Sequence, residues 1–222
     1  TENYDFHGIF TELHQFCNSD LSAFYFEIRK DMLYCDLPAS TGRRACRMVM
    51  HELFNRLTAW LAPIICFTAE EAWQSYVGDL QNSVHLRSYD ATPEIWHNAD
   101  IEAKWATIRQ VRQVVMSALE KARNDGAIGA SLQAAPLVYV TADMQTAFAG
   151  QDAASLFITS AATITTDTPT VDAFRLDTVA DVAVGFAAAT GDKCARCWKV
   201  MPEVSGPDGI CKRCSDVVAT LA

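Results

Sequence analysis

The sequence predicts a mainly α protein, with a helical bundle over residues 1–125, a small α+β domain over 126–190 and a four-cysteine metal module over 191–222. Three observations support this. Apolar residues recur at helical spacing up to about residue 125, short β-prone runs follow, and two cysteine pairs lie near the C-terminus. At roughly 100–200 residues per domain, the 222 residues can form one large domain or two to three small ones.

Five helices are predicted in the first segment. FHGIFTELHQFC and LSAFYFEIRKDMLY each place apolar side chains on one face, and a third helix should begin at a Ser40/Thr41 cap and end near Pro63. TAEEAW has the spacing of a capping box with Thr68 as the cap, which predicts the start of a fourth helix. The fifth spans about 100–124 and ends before Gly126, because glycine commonly follows a helix C-terminus.

The second segment has a different composition, rich in Ala, Thr, Val and Gly. Four short runs favour strands: PLVYV, AATITT, AFRLDT and VAVGFA. One short helix is expected near DMQTAFAG, between the first two runs. This alternation predicts a small α+β domain joined to the helices by a short connection.

Four of the eight cysteines form two close pairs, Cys194 with Cys197 and Cys211 with Cys214. A tetrahedral Zn²⁺ binds four thiolates presented on such turns, and so short a tail needs a metal or disulfides in place of a core. We therefore expect one structural Zn²⁺ at these residues, with no open position for a substrate. An iron site with the same ligands and a redox-active CxxC pair are the alternatives.

The remaining cysteines lie singly in helical patterns, and we expect all of them to be buried, reduced thiols: Cys17, Cys35, Cys46 and Cys66. No stretch approaches the roughly 18 uninterrupted apolar residues that a membrane span needs. We therefore expect a cytoplasmic protein with no membrane partner. The opening of the chain inside an amphipathic pattern suggests a piece of a longer protein.

The net charge of −9 taken alone argues against a nucleic-acid partner. The distribution of charge points the other way, because 16 of the 18 Lys and Arg residues lie in the windows 29–56, 104–123 and 193–213. A single basic window is usually a solvated helix face. Three of them, one within the cysteine module, favour a polyanionic partner.

No catalytic pattern survives inspection. HELFN, at residues 51–55, begins like a metalloprotease helix but has Asn55 in place of the second histidine. GAIGAS lacks the Lys and Ser or Thr of a phosphate-binding loop, and only weakly matches a GxxG nucleic-acid clamp. We therefore expect no active site in these residues.

Four stretches resemble, in order, the C-terminal part of bacterial-type isoleucyl-tRNA synthetases, which are class I aminoacyl-tRNA synthetases. They are FCNSDLSAFYFEIRKDMLYCD, LTAWLAPIICFTAEEAW, ALEKARNDGAIGASLQA and KCARCWKV with GICKRC. The resemblance covers nearly the whole chain. The FTAEEAW region is shared with the valine and leucine enzymes, whereas the IGASL turn with a terminal four-cysteine module points to the isoleucine enzymes.

The resemblance implies an anticodon-binding helical domain, a junction domain and a terminal zinc module that reads the anticodon region of tRNA. It also implies that catalytic and editing domains lie elsewhere in a monomeric parent chain. There, ATP and isoleucine would be used to charge the tRNA. The fragment alone should be inactive.

The candidate tRNA contacts are basic and aromatic residues of the three windows, because unpaired RNA is bound through phosphate contacts and base stacking. On the last helix, the candidates share one helical face: Arg109, Arg112 and Arg123. The third helix and its neighbour add Arg43, Arg44, Arg47 and Lys30, and the metal module adds Arg196, Trp198, Lys199, Lys212 and Arg213. Trp198 either stacks on an unpaired base or covers the metal.

Two alternatives stay open at this point. Some DNA-repair glycosylases join a helical domain to a C-terminal four-cysteine finger, which would make duplex DNA the partner. A zinc-stabilised protein-interaction module is the second alternative, and it leaves the basic windows unexplained.

Overall fold

The computed structural model describes residues 6–206 and 208–221 of the 222-residue chain. The described residues divide into two compact units. The first contains the chain up to Asp36 and from Ala99 onwards, and the second is Leu37–Asn98. Residues from all three sequence segments therefore share the first unit. No helix in the described ranges is long and apolar enough to cross a bilayer.

The first two predicted helices form one continuous helical stretch in the first unit. Helix α1, Phe6–Gln15, passes into a π-helical segment, Phe16–Phe26, and then into α2, Glu27–Cys35. The residues flanking the π segment keep right-handed helical angles, so the backbone does not break there. Helix α2 ends where Asp36 adopts an extended conformation, with ψ of 161°.

The core of the first unit is built around the last long helix, α5, which spans Ala99–Asn124. Its buried residues follow the three- and four-residue spacing of one helix face: Ile108, Val111, Val114, Val115, Ala118, Leu119 and Ala122. They pack with buried residues of the sheet, including Val138 and Val184. The helix ends as predicted, with Gly126 at φ +75° just beyond it.

All four predicted strands are present in a single sheet of order β2-β1-β4-β3. Strand β1, Leu137–Tyr139, pairs in parallel with β2, Thr163–Thr165, and antiparallel with β4, Val179–Gly185. Strand β3, Phe174–Leu176, pairs antiparallel with β4. The parallel pair needs a crossover connection between β1 and β2, and two short helices occupy it.

Those two crossover helices are α6, Ala142–Ala147, and α7, Ala153–Phe157. Helix α6 was predicted. Helix α7 was not, because five residues are too few to show helical periodicity. It begins at Asp152, whose side chain accepts a hydrogen bond from the Ala154 amide, and it ends at Ile158 in the left-handed conformation, φ +57°.

The cysteine module completes the first unit. Strands β5, Asp192–Lys193, and β6, Val200–Met201, pair antiparallel, and α8, Lys212–Leu221, follows the second cysteine pair. The four paired cysteines form a buried cluster with Val204 and with Cys35 of α2. The cluster thus includes a residue about 160 positions earlier in the chain.

The second unit is a helical hairpin with two 3₁₀ turns. Helix α3, Thr41–Leu61, begins at the predicted cap, since Ser40 Oγ accepts from the Arg43 amide. Helix α4 spans Cys66–Val77, and the 3₁₀ turns are Val84–Leu86 and Glu94–Trp96. Trp73 and Val84 are buried at its centre.

Two details of the second unit correct the sequence predictions. Helix α4 begins at Cys66 after an Ile65 cap with no side-chain hydrogen bond, so Thr68 lies inside the helix and the predicted capping box is wrong. Cys66 is exposed, whereas Cys35 and Cys46 are buried as expected and Cys17 is partly buried. Residues in the first turn of a helix are covered only where another element packs over that end.

Candidate metal centre and nucleic-acid interface

The four paired cysteines converge on one point. Their sulfur atoms all lie within 4.8 Å of one another, the four residues are buried, and none forms a disulfide. The Cys197 and Cys211 sulfurs are 3.8 Å apart. Four thiolates placed tetrahedrally at about 2.3 Å from a metal are also about 3.8 Å from each other. The site therefore fits one tetrahedral metal ion.

Backbone hydrogen bonds shape the first knuckle, defined here as residues 194–199. The Trp198 amide donates to the Cys194 carbonyl at 2.9 Å, and the Cys194 amide donates to the Lys199 carbonyl at 2.8 Å. This tight turn places Trp198 in the left-handed conformation, φ +68°. The Cys211 amide donates to Cys194 Sγ at 3.3 Å, which ties the second cysteine pair to the first.

The thiols differ in acidity. Burial would raise the pKa of Cys194, but the amides of Cys197, Cys211 and Arg196 outweigh this effect and lower it to about 6. Burial raises the pKa of Cys197 and that of Cys211. Thiolates are the metal-binding form, so a bound cation would have to offset the cost of ionising the latter two.

Two arginines of the module contact the C-terminal turn of α2. Arg196 Nη1 donates to the Cys35 carbonyl at 2.6 Å and to Cys214 Sγ at 3.6 Å, and its Nη2 donates to the Tyr34 carbonyl at 3.3 Å. Arg213 donates to both carboxylate oxygens of Asp31 at 2.6 Å and to Asp36 at 3.3 Å. Both were predicted as phosphate contacts, and both are engaged within the protein.

Trp198 lies on the outside of the first knuckle and is 60% exposed. The buried residues around the sulfurs are Cys35 and Val204, not Trp198. Lys193 Nζ lies 5.3 Å from the centroid of the indole ring, a cation–π distance. Lys193 was missed as a site residue because strand β5, which places it beside Trp198, comprises only two residues.

Trp198 also borders a cavity of about 460 Å³ between α2, α7 and the first knuckle. Its walls include Ile28, Tyr34, Ile158 and Cys197, and Lys30 and Lys199 are among the lining residues. Among the described residues, neither lysine forms a salt bridge. The sequence indicated both lysines, but it gave no sign that Ile158 or Tyr34 would complete a cavity with them.

The three arginines of α5 are paired within the protein. Arg109 Nη1 is 2.6 Å from Asp20 Oδ1, and Arg123 is paired with Glu120. Arg112 donates to the Leu156 carbonyl at 2.9 Å and to Glu27 at 3.2 Å, and only 14% of its side chain is exposed. These three side chains were predicted to face RNA together, but each of them has a partner within the protein.

The basic residues at the start of α3 differ among themselves. Arg43 is partly buried, whereas Arg44 and Arg47 are exposed and form no salt bridge in the described part of the chain. Lys212, in α8, is paired with Asp216 at 3.0 Å on the surface. The GAIGAS turn is not an open clamp, because its Gly129 and Ala130 amides donate to Gln133 Oε1.

Comparison with known proteins shows the family to which the chain is similar. The family model described as "Anticodon-binding domain of tRNA ligase" matches residues 1–139. The chain is 48% identical over 202 residues to an isoleucine–tRNA ligase of Agrobacterium fabrum, covering 90% of this chain and 21% of that protein. It is 47% identical over 215 residues to one of Ruegeria pomeroyi, covering 95% and 22%, and 42% identical over 224 residues to one of Gluconobacter oxydans, covering 98% and 22%.

The chain therefore spans about a fifth of the length of the curated relatives it matches. The matched part is their C-terminal region, as the sequence resemblance predicted. Since the family model covers more than half of the residues, the chain belongs to the family of anticodon-binding domains of tRNA ligases.

Proposed function

We propose that this chain binds the anticodon region of isoleucine tRNA as part of an isoleucine–tRNA ligase. The observation that carries the proposal is the exposed Trp198, which lies on a metal-type knuckle beside Lys193 and Lys199. An aromatic plane flanked by cations is suited to an unpaired base and its phosphates. The family match over residues 1–139 supports the same function.

The metal centre takes one Zn²⁺ with a structural role. Zn²⁺ is favoured because all four donors are thiolates and the Cys197 and Cys211 sulfurs are 3.8 Å apart, as in a tetrahedral site. A bound Zn²⁺ would supply cross-linking between the two cysteine pairs. Cys194, Cys197, Cys211 and Cys214 would hold it, and the protein surrounds them so that no substrate position remains.

Trp198 stacks on one unpaired base of the anticodon loop. Its indole ring projects from a backbone fixed by the knuckle, so little conformational freedom is lost on binding. Lys199 and Lys30, at the neighbouring cavity, contact the flanking phosphates. Stacking of this kind contributes about 1–3 kcal/mol per base.

The remaining candidate tRNA contacts fall into two groups, those whose side chains are exposed and those already engaged within the protein. Arg44 and Arg47 are exposed and can meet phosphates directly. The others would first have to exchange an intramolecular contact: Arg43, Arg109, Arg112, Arg123, Arg196, Lys212 and Arg213. Such an exchange costs part of the affinity gained, so Lys30, Lys199, Arg44 and Arg47 are the primary contacts.

The catalytic steps belong to the part of the ligase that this chain does not match. There, isoleucine would be activated with ATP and transferred to tRNA, with editing on a further domain. Residues 126–190 would serve as the junction between the helices and the metal module, in a monomeric, cytoplasmic enzyme. The relatives compared above are isoleucine–tRNA ligases, which favours this function over the DNA-repair and protein-interaction alternatives.

Binding measurements test the proposal. An isoleucine tRNA transcript, an unrelated tRNA and a DNA duplex are titrated against the zinc-loaded chain and its Trp198→Ala variant. The transcript should bind best, and the variant should bind it about ten- to a hundredfold more weakly, with unchanged zinc content. Phe186→Ala removes an exposed aromatic side chain outside the site, and this variant should bind the tRNA transcript as tightly as the unmodified chain does. Equal affinity for duplex DNA, or full binding by Trp198→Ala, would contradict the proposal.

A further inference from the structure

The metal centre would carry a net negative charge that its four ligands cannot compensate. A divalent ion bound to four thiolates leaves two negative charges in excess, and all four cysteines are buried. Buried charge is costly unless a charge of opposite sign or hydrogen-bond donors lie beside it. The last turn of α2 adds to the problem, because the carbonyls of a helix C-terminus are its negative pole.

Two arginines lie close enough to compensate this negative charge, and they differ in the groups that they contact. Arg213 faces two carboxylates, Asp31 and Asp36, so its positive charge is already matched. Arg196 forms no salt bridge in the described ranges. Its donors go to Cys214 Sγ at 3.6 Å and to the carbonyls of Tyr34 and Cys35.

We propose that Arg196 is the counter-cation of the metal–thiolate centre and a positioning residue for it. Its guanidinium lies between two negative groups, the ligand sulfur of Cys214 and the C-terminal carbonyls of α2. By offsetting part of this negative charge, it raises the affinity for metal and joins the centre to α2. Arg213 fastens the second cysteine pair to the same helix without contributing net positive charge.

This assignment rests on the metal site of the proposed function but not on tRNA binding. It also gives Arg196 a role different from the phosphate contact predicted from the sequence. Groups that hydrogen-bond to metal ligands typically change metal affinity by about 10–100-fold when removed. The effect of Arg196 should fall in that range.

The test measures Zn²⁺ affinity by competition with a chromogenic chelator. Arg196→Gln should bind Zn²⁺ about 10–100-fold more weakly than the unmodified chain, and Arg196→Lys should recover part of the loss because it restores the charge. Arg175→Gln removes an equal charge from an exposed site on β3 and should have no effect. Unchanged affinity in Arg196→Gln, or equal loss in Arg175→Gln, overturns the proposal.

A spectroscopic measurement separates charge compensation from general loosening. In the Co²⁺-loaded protein, removal of a cation near sulfur raises the energy of the sulfur electrons. The thiolate-to-Co²⁺ charge-transfer band of Arg196→Gln should therefore move to longer wavelength, while the d–d bands keep their tetrahedral pattern. Arg213 also interacts with the Cys197 side chain, but Asp31 and Asp36 already match its charge, so Arg213→Gln should shift that band less than Arg196→Gln. A shift of equal size in Arg213→Gln would overturn the proposal.

Titration with tRNA distinguishes this proposal from the proposed function. If Arg196→Gln retains full Zn²⁺ affinity but loses tRNA binding, Arg196 is an RNA contact and the counter-cation proposal is wrong. If the unmodified chain fails to bind tRNA while Arg196→Gln still loses Zn²⁺ affinity, the proposed function fails and the counter-cation proposal holds.

Discussion

Arg213 donates to both carboxylate oxygens of Asp31, each at 2.6 Å, across 182 positions of sequence. A bidentate pair of this kind fixes both position and orientation. With the contacts of Arg196 to Tyr34 and Cys35, it makes the last turn of α2 part of the metal module's surroundings. The metal module therefore packs against α2 through specific contacts.

Metal removal should consequently affect more than the C-terminal tail. Because the short tail depends on a metal in place of a core, chelation should unfold the residues after Gly191 and spare the helices. The contacts of Arg196 and Arg213 extend this prediction to residues 31–36, because their partners would lose fixed positions. Hydrogen exchange with and without a chelator should show lost protection in 191–221 and 31–36, with 108–122 protected throughout. Full protection at 31–36 after chelation would contradict it.

The Asp31–Arg213 pair should make stability depend on acid pH. Burial acts to raise the pKa of Asp31, but the hydrogen bonds and charge of Arg213 prevail and lower it from its usual 3.8. Since the folded pKa is below the unfolded one, the contribution is fully present above about pH 4. It is lost as the pH falls through the folded pKa, when the folded carboxylate is also protonated.

Denaturant unfolding at pH 7 and at acid pH measures this contribution. Asp31→Asn should lower the free energy of unfolding by about 1 kcal/mol at pH 7, a modest value because both side chains are partly exposed. The loss should shrink toward zero at low pH. Asp216→Asn, which breaks an exposed pair with Lys212, should have little effect at either pH. A pH-independent loss in Asp31→Asn would show that the carboxylate's charge is not responsible.

Much of the fold follows from local sequence patterns. The helical periodicities, the Ser40 cap, the Gly126 terminus and all four β-prone runs were predicted correctly, because each depends on neighbouring residues. The predicted cap at Thr68 was wrong, although it too was inferred from neighbouring residues. Capping-box spacing is necessary but not sufficient, and the cap of α4 lies three residues earlier, at Ile65.

The candidate site shows where local patterns fail. The cysteine spacing located the metal ligands, since ligand geometry is encoded within each knuckle. The helical angles of Arg109 and Arg112 correctly placed them near one another, but they could not reveal Asp20 and Glu27, which lie some 85 or more positions away and pair with them. Partners distant in sequence are set by tertiary packing, so a basic window alone does not identify a nucleic-acid surface.

The exposed arginines of α3 should contribute to the salt dependence of tRNA binding. Each phosphate that they neutralise adds about −0.7 to −0.9 to the slope of log affinity against log salt. The double variant Arg44→Glu, Arg47→Glu should therefore flatten the slope by about 1.4–1.8 with little change in thermal stability. Arg175→Glu, with an equal type of charge reversal on β3, should leave the slope unchanged.

The same experiment distinguishes α3 from α5. Charge reversal at Arg112 would break its bonds to the Leu156 carbonyl and to Glu27, so its effect on binding would be mixed with a loss of stability. An unchanged slope in the Arg44 and Arg47 double variant would assign these two residues to an ordinary solvated helix face.

Gly191 should be indispensable to the metal module for reasons of backbone geometry. Its φ is +106°, and a Cβ atom there would lie 2.2 Å from the Met201 carbonyl oxygen and 2.6 Å from the Pro202 nitrogen. Both obstacles are backbone, so neither can rotate away. Gly191→Ala must therefore separate β5 from β6, the strands on either side of the first knuckle. Gly206 provides a matched control, because it has a similar positive φ of +76° but nothing within 4 Å of the added Cβ.

Gly206→Ala should cost only the left-handed strain of about 1–2 kcal/mol. Gly191→Ala should bind Zn²⁺ at least tenfold more weakly, because the backbone carbonyl and amide contacts that fix Cys194 and Cys197 are displaced. Chelator competition on both variants, with helix content followed by circular dichroism, separates the two effects. Equal Zn²⁺ affinities in the two variants would mean that strain, and not the collision with Met201, limits the residue at position 191.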